Sequence, residues 1–252
     1  MSSCQVCQAD LNPGDIYCGN CGTKRRIDRS KKENESVRQV IIFYITFLIF
    51  AVVSYVTYLE NNSLLTEIIL ESIFVLLTLG FSLFDIKGIL ALYRFDRINW
   101  KNLLFALVFP IFSAVAVYFG MGLLNELLFF EDYNLFYDYI SYDNPFLWAF
   151  IFYAILPPIF EELAFRGFLF NKLRDVASAN VTILATAFIF ALVHFSFISF
   201  IWIFPFGIVL GYLRHRFKTL WLGMIVHFIH NLLVVLIEYY YFYQDPWNVL
   251  LE

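Results

Sequence analysis

The sequence predicts an all-α polytopic membrane protein with a small metal-binding module at its N-terminus. Three observations carry this. Of the 252 residues, 61% are hydrophobic and only 15% charged, against about 25% charged in an ordinary soluble domain. The apolar residues gather into separate runs of membrane-spanning length. All four cysteines lie near the start, as Cys4-Gln5-Val6-Cys7 and Cys18-Gly19-Asn20-Cys21.

Two C-x-x-C pairs at this separation can set four thiolates tetrahedrally around one Zn²⁺. Gly19 and Gly22 suit the tight turns of such a knuckle, and Pro13-Gly14-Asp15 reads as the turn between its halves. Residues 1–22 hold too few apolar side chains to fold alone, so metal binding and folding would be coupled. A redox dithiol or two disulfides are the other readings of four cysteines. The segment resembles the short zinc-ribbon modules at the ends of many bacterial membrane proteins. That resemblance implies a structural zinc held by Cys4, Cys7, Cys18 and Cys21, and a ribbon that binds a cytoplasmic protein partner or is an appendage.

Residues 23–38 form a charged linker with Lys24, Arg25, Arg26, Arg29, Lys31 and Lys32. Beside a membrane span such a run lies near anionic headgroups and sets orientation; nucleic-acid binding is not expected. The first apolar run begins only near Val40, so no cleavable signal peptide is expected. Seven spans follow, at about 40–59, 68–84, 103–124, 147–171, 181–198, 200–213 and 219–241. Residues 86–100 mix apolar side chains with Lys87, Arg94 and Arg97 and read as an interfacial helix. The loop at 125–146 is acidic and aromatic, with Glu126, Glu131, Asp132, Asp138 and Asp143. Residues 39–100 are thus two spans and an interfacial segment, 101–243 the core, and 244–252 a tail. With the N-terminus in the cytoplasm, all 17 Lys and Arg fall on inner segments or inner helix ends. This positive-inside pattern predicts a multi-pass cell-membrane protein with an extracytoplasmic C-terminus and reduced cysteines.

The last four spans carry polar residues that hydrocarbon surroundings penalise. Pro157-Pro158 breaks span 4 and suits the first turn of a new helix. Glu161, Glu162 and Arg166 follow; Glu162 and Arg166 are four apart and can neutralise each other, whereas Glu161 points about 100° away. Span 5 contains Phe190-Ala191-Leu192-Val193-His194, and span 7 contains His227-Phe228-Ile229-His230-Asn231. At 1.5 Å per residue from the inner anchors, Glu161, His194, His227 and Asn231 lie roughly 14–21 Å deep and can share one level. A carboxylate in such a cavity can act as general base and then acid, with a His sharing the water's proton. A second His with an Asn can stabilise an oxyanion. Alternatively, Glu161, His194 and His227 supply three ligands of a catalytic zinc with an open position. H-E-x-x-H is absent, and these residues alone do not separate the two mechanisms.

E-E-x-x-x-R, F-x-x-x-H and H-x-x-x-N, in this order on successive membrane helices, resemble the CAAX-protease and bacteriocin-processing (CPBP, or Abi) family of intramembrane proteases. The resemblance covers about residues 100–243. It implies that Glu161 and His194 activate water, that His227 and Asn231 form the oxyanion site, and that Glu162 and Arg166 are a structural ion pair. Its implied substrates are lipidated or bacteriocin-type membrane-associated peptides, with immunity or envelope regulation as the bacterial roles. A non-proteolytic scaffold or regulator acting through the ribbon is the alternative. Two glutamates could also form a transporter relay, but the spans show no evident internal repeat. His230 reads as hydrogen-bonded packing and His215 as a solvated loop residue. Gly207 and Gly211 allow close helix approach, and Tyr239-Tyr240-Tyr241 anchors the interface.

Overall fold

A computed structural model describes residues 2–4, 6–11, 17–23, 29–128 and 134–244. The turn expected at Pro13-Gly14-Asp15, the basic residues Lys24, Arg25 and Arg26, the acidic Glu131 and Asp132, and the tail beyond Gln244 lie outside these residues. The N-terminal module holds one short antiparallel ladder, β1 (Ser2–Ser3) with β2 (Asp10–Leu11). Helices α1 (Arg29–Glu60), α2 (Leu64–Leu83), α3 (Ile86–Leu90), α4 (Trp100–Leu128), α5 (Pro145–Val176), α6 (Ala179–Leu192), α7 (Phe197–Phe217) and α8 (Trp221–Gln244) follow. Among the described residues, α1, α2, α4, α5, α7 and α8 are long and apolar enough to cross a membrane.

Two expected segments come out shorter. The interfacial helix covers only Ile86–Leu90; the chain beyond it turns, pinned where Leu220 N–H donates to Leu92 O (3.1 Å) and Thr219 Oγ1 to Arg94 O (3.1 Å). The expected span 181–198 is the 14-residue α6, about 21 Å long at 1.5 Å per residue. It ends because Val193 and His194 make tightening backbone bonds and Phe195 turns left-handed (φ 49°). Ser196 then caps α7 by accepting from Ser199 N–H. The freed residues join α7, which extends through Arg214 to Phe217.

Burial rises from 11% of the spanning window in α1 to 39% in α8, so α8 is central and α1 presents most of its apolar surface outward. An aromatic core of Phe43, Phe47, Phe165, Phe168 and Phe190 ties α1 to α5 and α6. A second cluster seats Phe206, Leu210 and Leu213 of α7 against Leu222 and Val226 of α8. The α6–α7 hairpin closes over small residues: a Cβ on Gly207 would stand 3.1 Å from Ala187, and one on Gly211 3.2 Å from Ile183. This is the close approach expected of G-x-x-x-G. Gly80 faces open space. Gly211→Val should therefore cost about 1–3 kcal/mol through overpacking and lower the thermal midpoint in detergent, whereas Gly80→Ala should not lower it.

Candidate active site

The backbone of α5 explains where its polar side chains stand. Two stretches, Phe150–Ile155 and Glu162–Leu169, are π-helical, with an α-helical turn at Leu156–Glu161 between them. Pro157 and Pro158 begin that turn, as their missing N–H groups suit. The same lack deprives the Tyr153 carbonyl of a helical donor, because both its i+4 and i+5 positions are prolines. Asn231 Nδ2 of α8 donates to it at 2.8 Å. At the end of the second stretch, Phe170 N–H bonds to Phe165 and Gly167 and skips Arg166. The Arg166 carbonyl is met instead by Arg214 Nε of α7 at 2.9 Å. Each break in the helical ladder is thus closed by a neighbouring helix, as buried backbone requires.

Glu162 and Arg166 form a fully buried ion pair, Oε1 to Nη1 3.0 Å. The guanidinium lies over the Phe190 ring at 4.2 Å, and Nη2 donates to Gly207 O at 3.3 Å. The pair is an ion contact without an aligned hydrogen bond, and neither Glu162 oxygen has a hydrogen-bond donor among the described residues. His227, 5% exposed at its side chain, stands beside it. Nδ1 is 3.5 Å from Glu162 Oε1, and Nε2 is 3.7 Å from Glu161 Oε2. The sequence reading separates Glu161 from the Glu162–Arg166 pair; in the structure His227 stands between the two carboxylates.

His194 lies just past the end of α6, with Nε2 3.9 Å from Glu161 Oε1. Its Nδ1 is 2.7 Å from Phe190 O. A carbonyl only accepts, so Nδ1 carries a proton and the neutral ring turns a lone pair toward Glu161. The side chains of Glu161 and His194 are 18% and 32% exposed. A cavity of about 1320 Å³ takes in Glu161, His194, His227 and Asn231 together. One N–H of Asn231 is committed to Tyr153, leaving its second for the cavity. His230 hydrogen-bonds Ser113 (Nδ1 to Oγ 2.9 Å) and stacks on Trp202, the packing role expected of it. Arg214, read from sequence as part of an inner loop, is buried and also donates to Asn171 Oδ1.

Two features of the site escape the sequence reading. Gly223 lets α8 approach Glu162: a Cβ there would stand 2.6 Å from Glu162 Oε2. Glu67 and Glu71 of α2 face this side of the bundle; Glu67 accepts from Tyr139 Oη at 3.0 Å, and Glu71 is within electrostatic reach of Glu161. Their signal was two carboxylates four apart at the edge of an apolar run.

Among the described residues, the ligand atoms of Cys4, Cys7, Cys18 and Cys21 all lie within 4.8 Å of one another, with Sγ pairs Cys4–Cys21 and Cys7–Cys18 at 3.5 Å. Zinc–sulfur bonds of 2.3 Å put tetrahedral sulfurs about 3.8 Å apart, so the quartet fits a zinc ion. Its halves share one design. Gln8 N–H and Gly22 N–H bond back to Cys4 O and Cys18 O, with both residues left-handed (φ 60° and 68°). Cys21 Sγ is 3.1 Å from Thr23 Oγ1, and hydrogen bonding with the Thr23 side chain and backbone pulls its thiol down to about 6, toward the thiolate that binds metal. In the membrane, Glu161 faces two imidazoles, but among the described residues the four cysteines are the group whose ligand atoms converge. The Glu161 contacts run from different oxygens, Oε1 to His194 at 3.9 Å and Oε2 to His227 at 3.7 Å.

Removing Arg166 strands Glu162 in a dry interior. Arg166→Met should cost about 3–5 kcal/mol, read as a large drop in thermal midpoint, and Glu162→Gln/Arg166→Met should recover part of it.

Residues 143–233 match the family model described as type II CAAX prenyl endopeptidase Rce1-like. The match takes in α5, α6, α7 and the part of α8 that bears His227 and Asn231, and it supports the CAAX-protease (CPBP) family and a membrane endopeptidase in general. No curated protein and no solved structure matches the chain.

Proposed function

We propose that the protein is an intramembrane endopeptidase that cleaves a membrane-associated peptide with water activated at Glu161. The observation that carries this reading is Glu161 faced by two imidazoles inside one cavity, within the stretch that matches a protease family. A water bonded to both Glu161 Oε1 and His194 Nε2 sits off their 3.9 Å line, with roughly 90° between two bonds of about 2.8 Å. Glu161 takes one proton as the oxygen adds to the scissile carbonyl carbon, and His194 orients the water through the other. The oxyanion is met by the second N–H of Asn231 and by Nε2–H of His227, whose other ring nitrogen faces Glu162 at 3.5 Å. Glu161 returns its proton to the departing amine as the C–N bond breaks.

Zinc held by Glu161, His194 and His227 would supply a Lewis acid that activates the same water. The ribbon is read as a separate structural zinc site whose metal folds it. We read the Lys/Arg distribution as favouring an N-terminus and ribbon in the cytoplasm and a C-terminus outside.

Glu161→Gln and His194→Ala should each abolish cleavage of membrane-associated peptides by the purified protein, without lowering its thermal midpoint. Full activity in both would overturn the mechanism. Asn231→Ala should lower kcat by about 10²–10³-fold, together with some stability, because the Tyr153 carbonyl loses its donor. Elemental analysis should find one zinc per chain, lost in Cys4→Ser/Cys7→Ser. A second zinc, lost in His194→Ala, would establish the metal route.

One observation favours the ribbon-driven alternative. Helix α1, which leads out of the ribbon, is tied to the end of α5 through Lys32 Nζ–Asp175 Oδ1 (2.7 Å) and Ser36 Oγ donating to Asp175 Oδ2 (2.9 Å). A regulator would keep its cellular function in Glu161→Gln and lose it in Cys4→Ser/Cys7→Ser.

A further inference from the structure

The cavity around Glu161 continues along α8 and α4 to the helix ends that close on residues 134–139. Its lining carries five carboxylates: Glu67, Glu126, Asp138, Glu161 and Glu238. Among the described residues no lysine or arginine lines it, although the chain has 17 of them. Arg166, inside the bundle, is buried behind this lining and paired with Glu162; Lys172 and Arg174 of α5, Arg214 and Arg216 of α7, and Lys218 sit at the opposite helix ends. Tyrosines interleave with the carboxylates, among them Tyr118, Tyr137 and Tyr153. Carboxylates with aromatic faces in a recess focus a negative potential and bind ammonium or guanidinium groups through ion pairs and ring faces. A peptide rich in Asp or Glu would meet like charge there.

We infer that this vestibule admits a cationic peptide from the extracytoplasmic side and holds its Lys or Arg side chains while the bond to be cut reaches Glu161. The inference rests on the proteolytic reading of the site and on the orientation given by the basic residues. It specifies what that reading leaves open: the charge of the substrate and its side of entry. A peptide presented by the cytoplasmic leaflet would have to approach from the basic ends instead. Glu126, exposed near the end of α4 and remote from the reacting atoms, is the rim residue whose charge can be changed with least damage to the fold.

The experiment uses the full chain in phosphatidylcholine vesicles, where the lipid carries no net charge, with fluorescent decapeptides that differ only in two Lys, two Ser or two Glu. Anisotropy reads binding in Glu161→Gln, and a quenched version reads cleavage in the wild type. The Lys peptide should bind about tenfold more tightly than the Glu peptide at low salt. The gap should close in 0.5 M salt and narrow in Glu126→Lys. In vesicles of known orientation, binding should require access to the C-terminal face. Equal binding of all three peptides, a preference for the Glu peptide, or entry only from the ribbon side would overturn the inference. Because binding is read without turnover, such a result stands apart from the failure of proteolysis, which would appear as cleavage unaffected by Glu161→Gln. Should Glu126→Lys fail to fold, the salt dependence in the parent protein still decides.

Discussion

A guanidinium with no access to water constrains everything around it. Arg166 is the largest fully buried side chain among the described residues, and an ion so placed persists only if opposite charge and donor–acceptor geometry surround it. Glu162 supplies the charge, the Phe190 face covers the plane, and the Gly207 carbonyl takes one N–H. Each partner demands something of its own helix. Gly207 must lack a side chain for α7 to come near, and Gly223 must lack one for α8 to reach Glu162. The packing of α5, α6, α7 and α8 is therefore specified by one ion pair as much as by the apolar clusters.

That arrangement also fixes His227. Carboxylate oxygens stand 3.5 and 3.7 Å from its two ring nitrogens, so the Glu162–Arg166 pair and Glu161 belong to one electrostatic unit. The π-helical stretches of α5 serve the same end. Each shifts the register of the side chains that follow, and each exposes a carbonyl that Asn231 or Arg214 must satisfy. Asn231 thereby couples the proline break in α5 to the face of α8 that bears His227. This is a structural demand on the same residue that the proposed chemistry uses.

Much of this was legible in the sequence wherever spacing alone determines geometry. Glu162 with Arg166, Gly207 with Gly211, and His227 with Asn231 are each four apart, and an i,i+4 relation survives modest changes of backbone. The cysteine pairs were legible for the same reason. What escaped depends on hydrogen bonds rather than composition. A skipped carbonyl at Arg166 leaves no mark on hydropathy, and the early end of α6 comes from a left-handed Phe195 inside a run that stays apolar. The partner of the Tyr153 carbonyl was half visible, since two consecutive prolines announce a missing donor without saying who replaces it. The role of Gly223 needed the third dimension.

The short α6 sets a relation between the protein and its lipid. A helix of 14 residues is about 21 Å long, whereas a hydrocarbon core is about 30 Å thick. The bilayer beside it must thin, or polar groups at the helix end must be met by water. His194 sits at that end, beyond the last turn. The mismatch so brings the aqueous boundary toward the level of Glu161. On the proposed hydrolytic reading, the thickness of the membrane itself would thereby supply the water.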